Sequence, residues 1–258
     1  MPNPNTMESS ERSFTVHHAT LDDIASLTTI VPRSFHPTNP YILKVSRLQL
    51  YPTLAILPYS YSRPSTRQVL TPPKLLPNTP SVRQWWSEIF TYKVLDSPTT
   101  SHLLTAASSN SPSESIGVLS MQLIGPSDRG AGFWSTFSPT PDHDAATYAD
   151  VSSNLAHARE EFMLGAPHFV IELFGVDHEK KGLGLGKILL LKACEIADQA
   201  GLAVFVMANA SARGIYQHPD IGFELRDVKV MPGEMRYEEY MLVRPAGGPL
   251  AKVLDVPN

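Results

Sequence analysis

Hydrophobic positions change their period along this chain, and the changes mark out its elements. Ser13 to His18 alternate weakly, as a strand does. Thr20-Leu21-Asp22-Asp23 then supplies an N-cap and a capping-box acid for a helix carried by Ile24, Leu27, Thr28 and Val31 and ending at Pro32. A partial helical stripe recurs from Tyr41 to Leu50. From Tyr51 to Pro80 no period is sustained, and prolines at 52, 58, 64, 72, 73, 77 and 80 remove donors and block helices, which predicts a long irregular insert. Ser81 reads as the cap of a helix whose Trp85, Trp86, Ile89 and Phe90 share one face, the spacing of core packing.

His102 to Ala106 and Ile116 to Leu123 read as strands of a hairpin joined by the polar region Ser108 to Ser115. Gly125 to Asp142 is a second irregular stretch, holding Phe133, Trp134 and Phe137, and Ala145 to Met163 has helix-forming composition. The clearest rhythm follows. A strand from Phe169 to Val176, a helix through Ala200 and a strand from Gly201 to Met207 predict a right-handed β-α-β unit with parallel strands. Asn209 to Gln217 is a short helix, and strands begin at Gly222 and run from Glu234 to Val243.

In the helix after Gly186, Leu189, Leu190, Ala193, Ile196, Ala197 and Ala200 form an apolar face opposite Lys187, Lys192, Glu195, Asp198 and Gln199. Ile188 and Leu191 break the polar side, so a cover is expected there, from the Pro-rich insert or a second subunit. Cys194 lies between the faces as a packing residue, without a base to activate it. The expected organisation is a leader over 1–12, one domain over 13–246 that contains the 51–80 insert, and a loose tail over 247–258.

Composition narrows the class. With 42% hydrophobic and 18% charged residues in 258, the chain is an ordinary globular protein. No apolar run approaches a membrane span, so no membrane partner is expected. A single cysteine rules out an internal disulfide and a cysteine-based zinc site and suits a reducing compartment, with the cytoplasm as default. A net charge of −4 and a pI near 6.1 argue against nucleic acid as a partner and tolerate a cationic amine. Nine histidines without paired spacing give no metal site.

The candidate chemistry sits between the Phe169 strand and its helix, in Lys180-Lys181-Gly182-Leu183-Gly184-Leu185-Gly186-Lys187. Glycines let the backbone adopt positive φ and approach a bound group, so N–H groups at the helix start can converge on phosphate oxygens. Two nucleotide patterns fail. The dinucleotide fingerprint would need glycine at Lys187 or Leu189, and a Walker loop would need glycine at Lys181 and Ser or Thr at Ile188.

Lys181-Gly182-Leu183-Gly184-Leu185-Gly186 does resemble the acyl-CoA pyrophosphate loop of the GNAT N-acetyltransferases, Arg/Gln-x-x-Gly-x-Gly/Ala, with Lys181 at the Arg/Gln position. A second family motif, Asn-x-x-Ala-x-x-x-Tyr followed by Gly-Phe, is matched by Asn209, Ala212, Tyr216 and Gly222-Phe223. The interval from Tyr216 to Gly222 is two residues longer than the common form, with His218-Pro219-Asp220 in its middle.

The resemblance implies an α/β fold with a central mixed, twisted sheet of about seven strands and helices on both faces. It also implies acetyl-CoA, or another acyl-CoA, as co-substrate and a small-molecule amine as acceptor, in a monomer or homodimer with no metal. Pantetheine would bond to the backbone of Phe174 and Val176, Asn209 would contact it from the far side, and the pyrophosphate would rest on Gly182 to Lys187. Tyr216 would protonate the leaving thiolate, because a phenol holds its proton at neutral pH. The Val176 N–H would meet the oxyanion. Glu172 is the candidate base: an acid that interrupts an apolar strand, sharing a face with Val170 and Phe174 by alternation, has a raised pKa if desolvated. The same position also suits a hydrogen-bonded core acid. His168 and His218 are further candidates. A non-catalytic acyl-CoA-binding protein and a protein N-acetyltransferase are the competing readings.

Overall fold

The computed structural model describes residues 14–35, 79–126, 137–142, 145–231 and 237–248. The leader, the 41–50 helix, nearly all of the Pro-rich insert, Phe133, Trp134 and the end of the tail lie outside these residues.

Among the described residues seven strands form one sheet in the order β1-β2-β3-β4-β5-β7-β6. They are β1 (Phe14–His18), β2 (Ser101–Ser108), β3 (Ser111–Ile124), β4 (His168–Val176), β5 (Ala203–Asn209), β6 (Glu224–Met231) and β7 (Tyr237–Arg244). β4 and β5 pair in parallel and every other neighbouring pair is antiparallel. Helices α1 (Ile24–Phe35), α2 (Pro80–Leu95) and α3 (Ala145–Met163) cover one face, and α4 (Leu185–Ala200) and α5 (Ala210–Tyr216) the other. This is a GNAT fold.

Local chemistry explains most boundaries. The Asp23 carboxylate accepts from the Thr20 N–H at 2.8 Å and the Thr20 hydroxyl at 2.9 Å, which starts the helical path. α1 does not stop at Pro32 but continues to Phe35. Arg33 holds that last turn: it donates to Thr29 O, to Ser115 O at 3.0 Å and to the buried Asp177 carboxylate at 2.8 Å. α2 begins before Ser81, because the Thr79 hydroxyl accepts from the Val82 N–H and Pro80, which needs no partner for a missing N–H, fills the first helical position. Trp85, Trp86, Ile89 and Phe90 are buried, as their stripe predicts. The β2–β3 hairpin closes with a tight turn at Ser109 and Asn110, so the exposed residues Ser111 to Glu114 belong to β3 rather than to a loop.

The core behind α4 is built from Leu185, Leu189, Leu190, Ala193 and Ala197 against Ile171, Val204 and Val206. Leu191 packs partly against it, while Ile188 is exposed. Asp198 departs from the expected polar face. Its carboxylate points inward and takes the fully buried Arg244 guanidinium through two bonds of 2.7 Å, the fork geometry that matches both oxygens. Cys194 is buried, and burial pushes its thiol up to about 11.

Two departures from regular pairing shape the centre of the sheet. β4 and β5 pair only from His168 to Ile171 against Ala203 to Val206; beyond these, β4 runs on to Val176 and β5 to Asn209 without pairing with each other. In the β3–β4 register Ser120 faces Leu173 and Met121 faces Ile171, which leaves Glu172 as the extra residue of a bulge.

Candidate active site

The parting of β4 and β5 opens a wedge whose floor is the Ile171–Val206 pair. The Glu172 side chain is only 3% exposed although the residue as a whole is half-buried, so what faces outward there is main chain. Phe174 and Val176 are likewise half-buried while the residues between and after them, Gly175 and Asp177, are buried. An exposed strand edge of this kind offers backbone groups to an extended ligand.

At the outer end of β4, Asp177 caps a 3-10 turn by accepting from the Glu179 N–H at 3.0 Å, and the chain then turns through the glycine loop into α4. Gly182 and Gly184 have φ of +81° and +80°, and a Cβ on either would meet nothing within 4 Å. The loop is therefore open on that side and needs glycine for its backbone shape. Gly186 is required for a different reason: a Cβ there would lie 3.0 Å from Ile215 and 3.1 Å from Phe174, so its absence lets the start of α4 seat against β4 and α5. Gly184 caps α4 without a side-chain bond, leaving the first N–H groups of the helix for a ligand. Lys180 and Lys181 are exposed beside the loop. Lys187 pairs with Asp220, which belongs to the longer interval after Tyr216. Leu183 is half-buried and Leu185 is buried in the core.

On the same face, Tyr216 ends α5 with its ring edge-on to Phe174 and to Phe223, at centroid distances of 5.7 and 5.2 Å. Burial holds its phenol pKa well above the usual range, so it stays protonated. The Asn209 side-chain oxygen accepts from the Ala212 N–H at 2.9 Å and the Ser211 hydroxyl at 2.6 Å, so it is the cap of α5.

Glu172 sits differently from its alternation. Because it is the bulged residue, Phe174 and Val176 turn to the α4 side while Glu172 joins Leu173 on the side of α1 and α2. There Lys93 Nζ of α2 donates to its carboxylate at 2.6 Å and to Gln122 Oε1 at 2.8 Å. Burial raises the Glu172 pKa and lowers that of Lys93, while each partner pulls the other back toward its charged form. Lys93 was within reach of the sequence, since it continues the Trp86, Ile89, Phe90 stripe by one helical step. His168 begins β4, remote from the loop, with Nδ1 2.6 Å from Ala166 O. His218 is exposed and accepts from the Asp220 N–H.

Among the described residues no cluster of three or more acids, histidines or cysteines is arranged to hold a metal, and no helix is long and apolar enough to cross a membrane.

Residues 140–223 match the model of the acetyltransferase (GNAT) family, a span that holds β4, the glycine loop, α4, β5 and α5. No curated protein matches the chain in sequence. Solved structures share the fold at low identity. A mosquito arylalkylamine N-acetyltransferase-like protein superposes with a TM-score of 0.59 at 14% identity, covering 90% of this chain and 99% of that one. An agmatine N-acetyltransferase variant gives 0.56 at 10% identity, with 89% and 98% covered. A histone acetyltransferase-related protein of Corynebacterium glutamicum gives 0.51 at 14%, with 92% and 98% covered.

Proposed function

We propose that this chain, whose residues 140–223 match the acetyltransferase (GNAT) family, transfers acetyl from acetyl-CoA to a primary amine of a small molecule by direct attack. The observation that carries this reading is the juxtaposition of three features at one wedge: a glycine loop open at a helix start, an exposed β4 backbone edge, and the hydroxyl of the buried Tyr216. The loop suits a pyrophosphate because its N–H groups and Lys180 and Lys181 favour anions. The β4 edge at Phe174 and Val176 suits the two amides of pantetheine, with the Val176 N–H as oxyanion donor. Lys181, the departure from Arg/Gln, keeps the positive charge but not the planar fork.

The acceptor is an amine of small size on this reading. The chain's negative charge favours a cation, and the structural neighbours include proteins named for arylalkylamine and agmatine acetylation. Tyr216 then protonates the leaving thiolate, and a base on the other face accepts the proton of the incoming ammonium.

Incubating the chain with acetyl-CoA and a panel containing tryptamine, agmatine, spermidine and a histone-tail peptide, with a thiol reagent to report free CoA, tests this directly. Thiol release with a small amine is expected. Release with the peptide alone would replace the small-molecule reading, and acetyl-CoA binding without release would leave a binding protein.

A further inference from the structure

Resting on that reading, we propose that Glu239 of β7, and not Glu172, is the carboxylate that receives the acceptor ammonium and takes its proton. Glu239 is 6% exposed, and its Oε2 has no hydrogen-bond partner among the described residues. A buried carboxylate oxygen without a partner is costly and rare, so its retention calls for an occupant.

Its position supplies one. In register, Glu239 lies opposite Asn209 of β5 and Lys229 of β6. It shares the face of Met241 and Val243, which pack with α3, the same face that holds Glu172 and Lys93. Asn209 ends the part of β5 that β4 has left, so Glu239 stands one strand, about 4.8 Å, behind the wall of the wedge. Tyr216 and the glycine loop lie on the opposite face. An acid on one face and a proton donor on the other let the amine and the thioester meet across the wedge.

Glu172, the acid that the sequence pointed to on that face, is already occupied. Glu172 is tied to Lys93 at 2.6 Å, so an arriving ammonium would add a second cation to a balanced pair. Lys229, the cation directly across from Glu239, reaches instead to Glu161 of α3 at 2.8 Å. Arg159 of α3 is buried on the same face, and its charge acts on Glu172 and His168. Burial alone pushes Glu239 up to about 7, which is where a base working at neutral pH is most effective.

The proton accounting closes. The Glu239 carboxylate takes one proton from R–NH3+, the free amine forms the N–C bond, and the C–S bond breaks. Tyr216 gives its proton to the thiolate and regains one from the nitrogen, and Glu239 returns its proton to solvent.

The test uses the full chain, acetyl-CoA and the fastest amine of the panel. Glu239→Gln is expected to lower kcat/KM by roughly 100-fold or more, to abolish an acidic limb near pH 7 in the kcat/KM profile, and to leave calorimetric acetyl-CoA affinity within about twofold. Glu239→Asp, which keeps the carboxylate, should restore part of the rate together with the limb. Glu239→Gln that folds, binds acetyl-CoA and keeps either its rate or its acidic limb would overturn the assignment alone. An unsubstituted chain that binds acetyl-CoA but releases no thiol with any amine would overturn the acyltransferase reading and this one with it.

Discussion

Lys93 Nζ lies 2.6 Å from a carboxylate oxygen of Glu172, with the two side chains 1% and 3% exposed. The pair ties α2 to the bulge of β4 at the floor of the wedge. Removing one partner strands a buried charge, which costs about 3–5 kcal/mol, whereas replacing both by apolar groups is close to neutral. Urea unfolding of Lys93→Met, Glu172→Leu and the double variant should show a double variant more stable than either single one. Additive losses would mean that the two residues act independently.

Tyr216 separates packing from chemistry. Its ring contacts with Phe174 and Phe223 survive removal of the hydroxyl, so Tyr216→Phe should fold normally and bind acetyl-CoA with unchanged affinity. Its kcat should fall by roughly 10-fold to 1000-fold if the hydroxyl protonates the thiolate. A kcat within twofold of the unsubstituted chain would remove Tyr216 from the proton path.

The glycines of the wedge have distinct reasons to be glycine. At Gly184, φ is +80° and a Cβ would meet nothing, so Gly184→Ala strains the backbone without a clash and costs about 1 kcal/mol. Because the strain reshapes the helix start, acetyl-CoA affinity should fall as well. Gly214 is the control: it lies inside α5 with open space around it, and Gly214→Ala should leave affinity unchanged and stability unchanged or raised. Calorimetric titration of both variants with acetyl-CoA checks the contrast.

What could be read from the sequence was local. The glycine loop, the α4 face and the short helix after Asn209 announce themselves because positive φ and the 3.6-residue period are decided within a few residues. The bulge at Glu172 was hidden, because it arises from how β3 and β4 register, and it reverses the face on which alternation puts Phe174. Asp198 looked like a solvent residue until Arg244, 46 positions away, claimed it. Glu238-Glu239 presents two adjacent acids, and alternation says that one faces each side without saying which. In the fold Glu238 accepts from the Tyr240 hydroxyl, while Glu239 turns inward without a described partner.

That inward acid has a stability signature independent of any substrate. Burial raises the Glu239 pKa from the ordinary carboxylate value of 4.5 to about 7 in the folded chain. Below the unfolded value both states hold the proton and no difference arises. Between that value and about 7 the folded chain binds more protons than the unfolded one, so stability falls as pH rises, and it levels off above 7. Glu239→Gln removes this titration. The variant and the unsubstituted chain should therefore differ little near pH 4.5. At pH 8 the variant should be the more stable by about 1–3 kcal/mol, since a tenfold change in proton affinity corresponds to about 1.4 kcal/mol and residual solvent reduces the effect. Urea unfolding at the two pH values measures it. A variant that gains stability while losing turnover would be the trade expected of an acid kept for chemistry rather than for the fold; a variant less stable at pH 8 would show that Glu239 is held there as a structural anion.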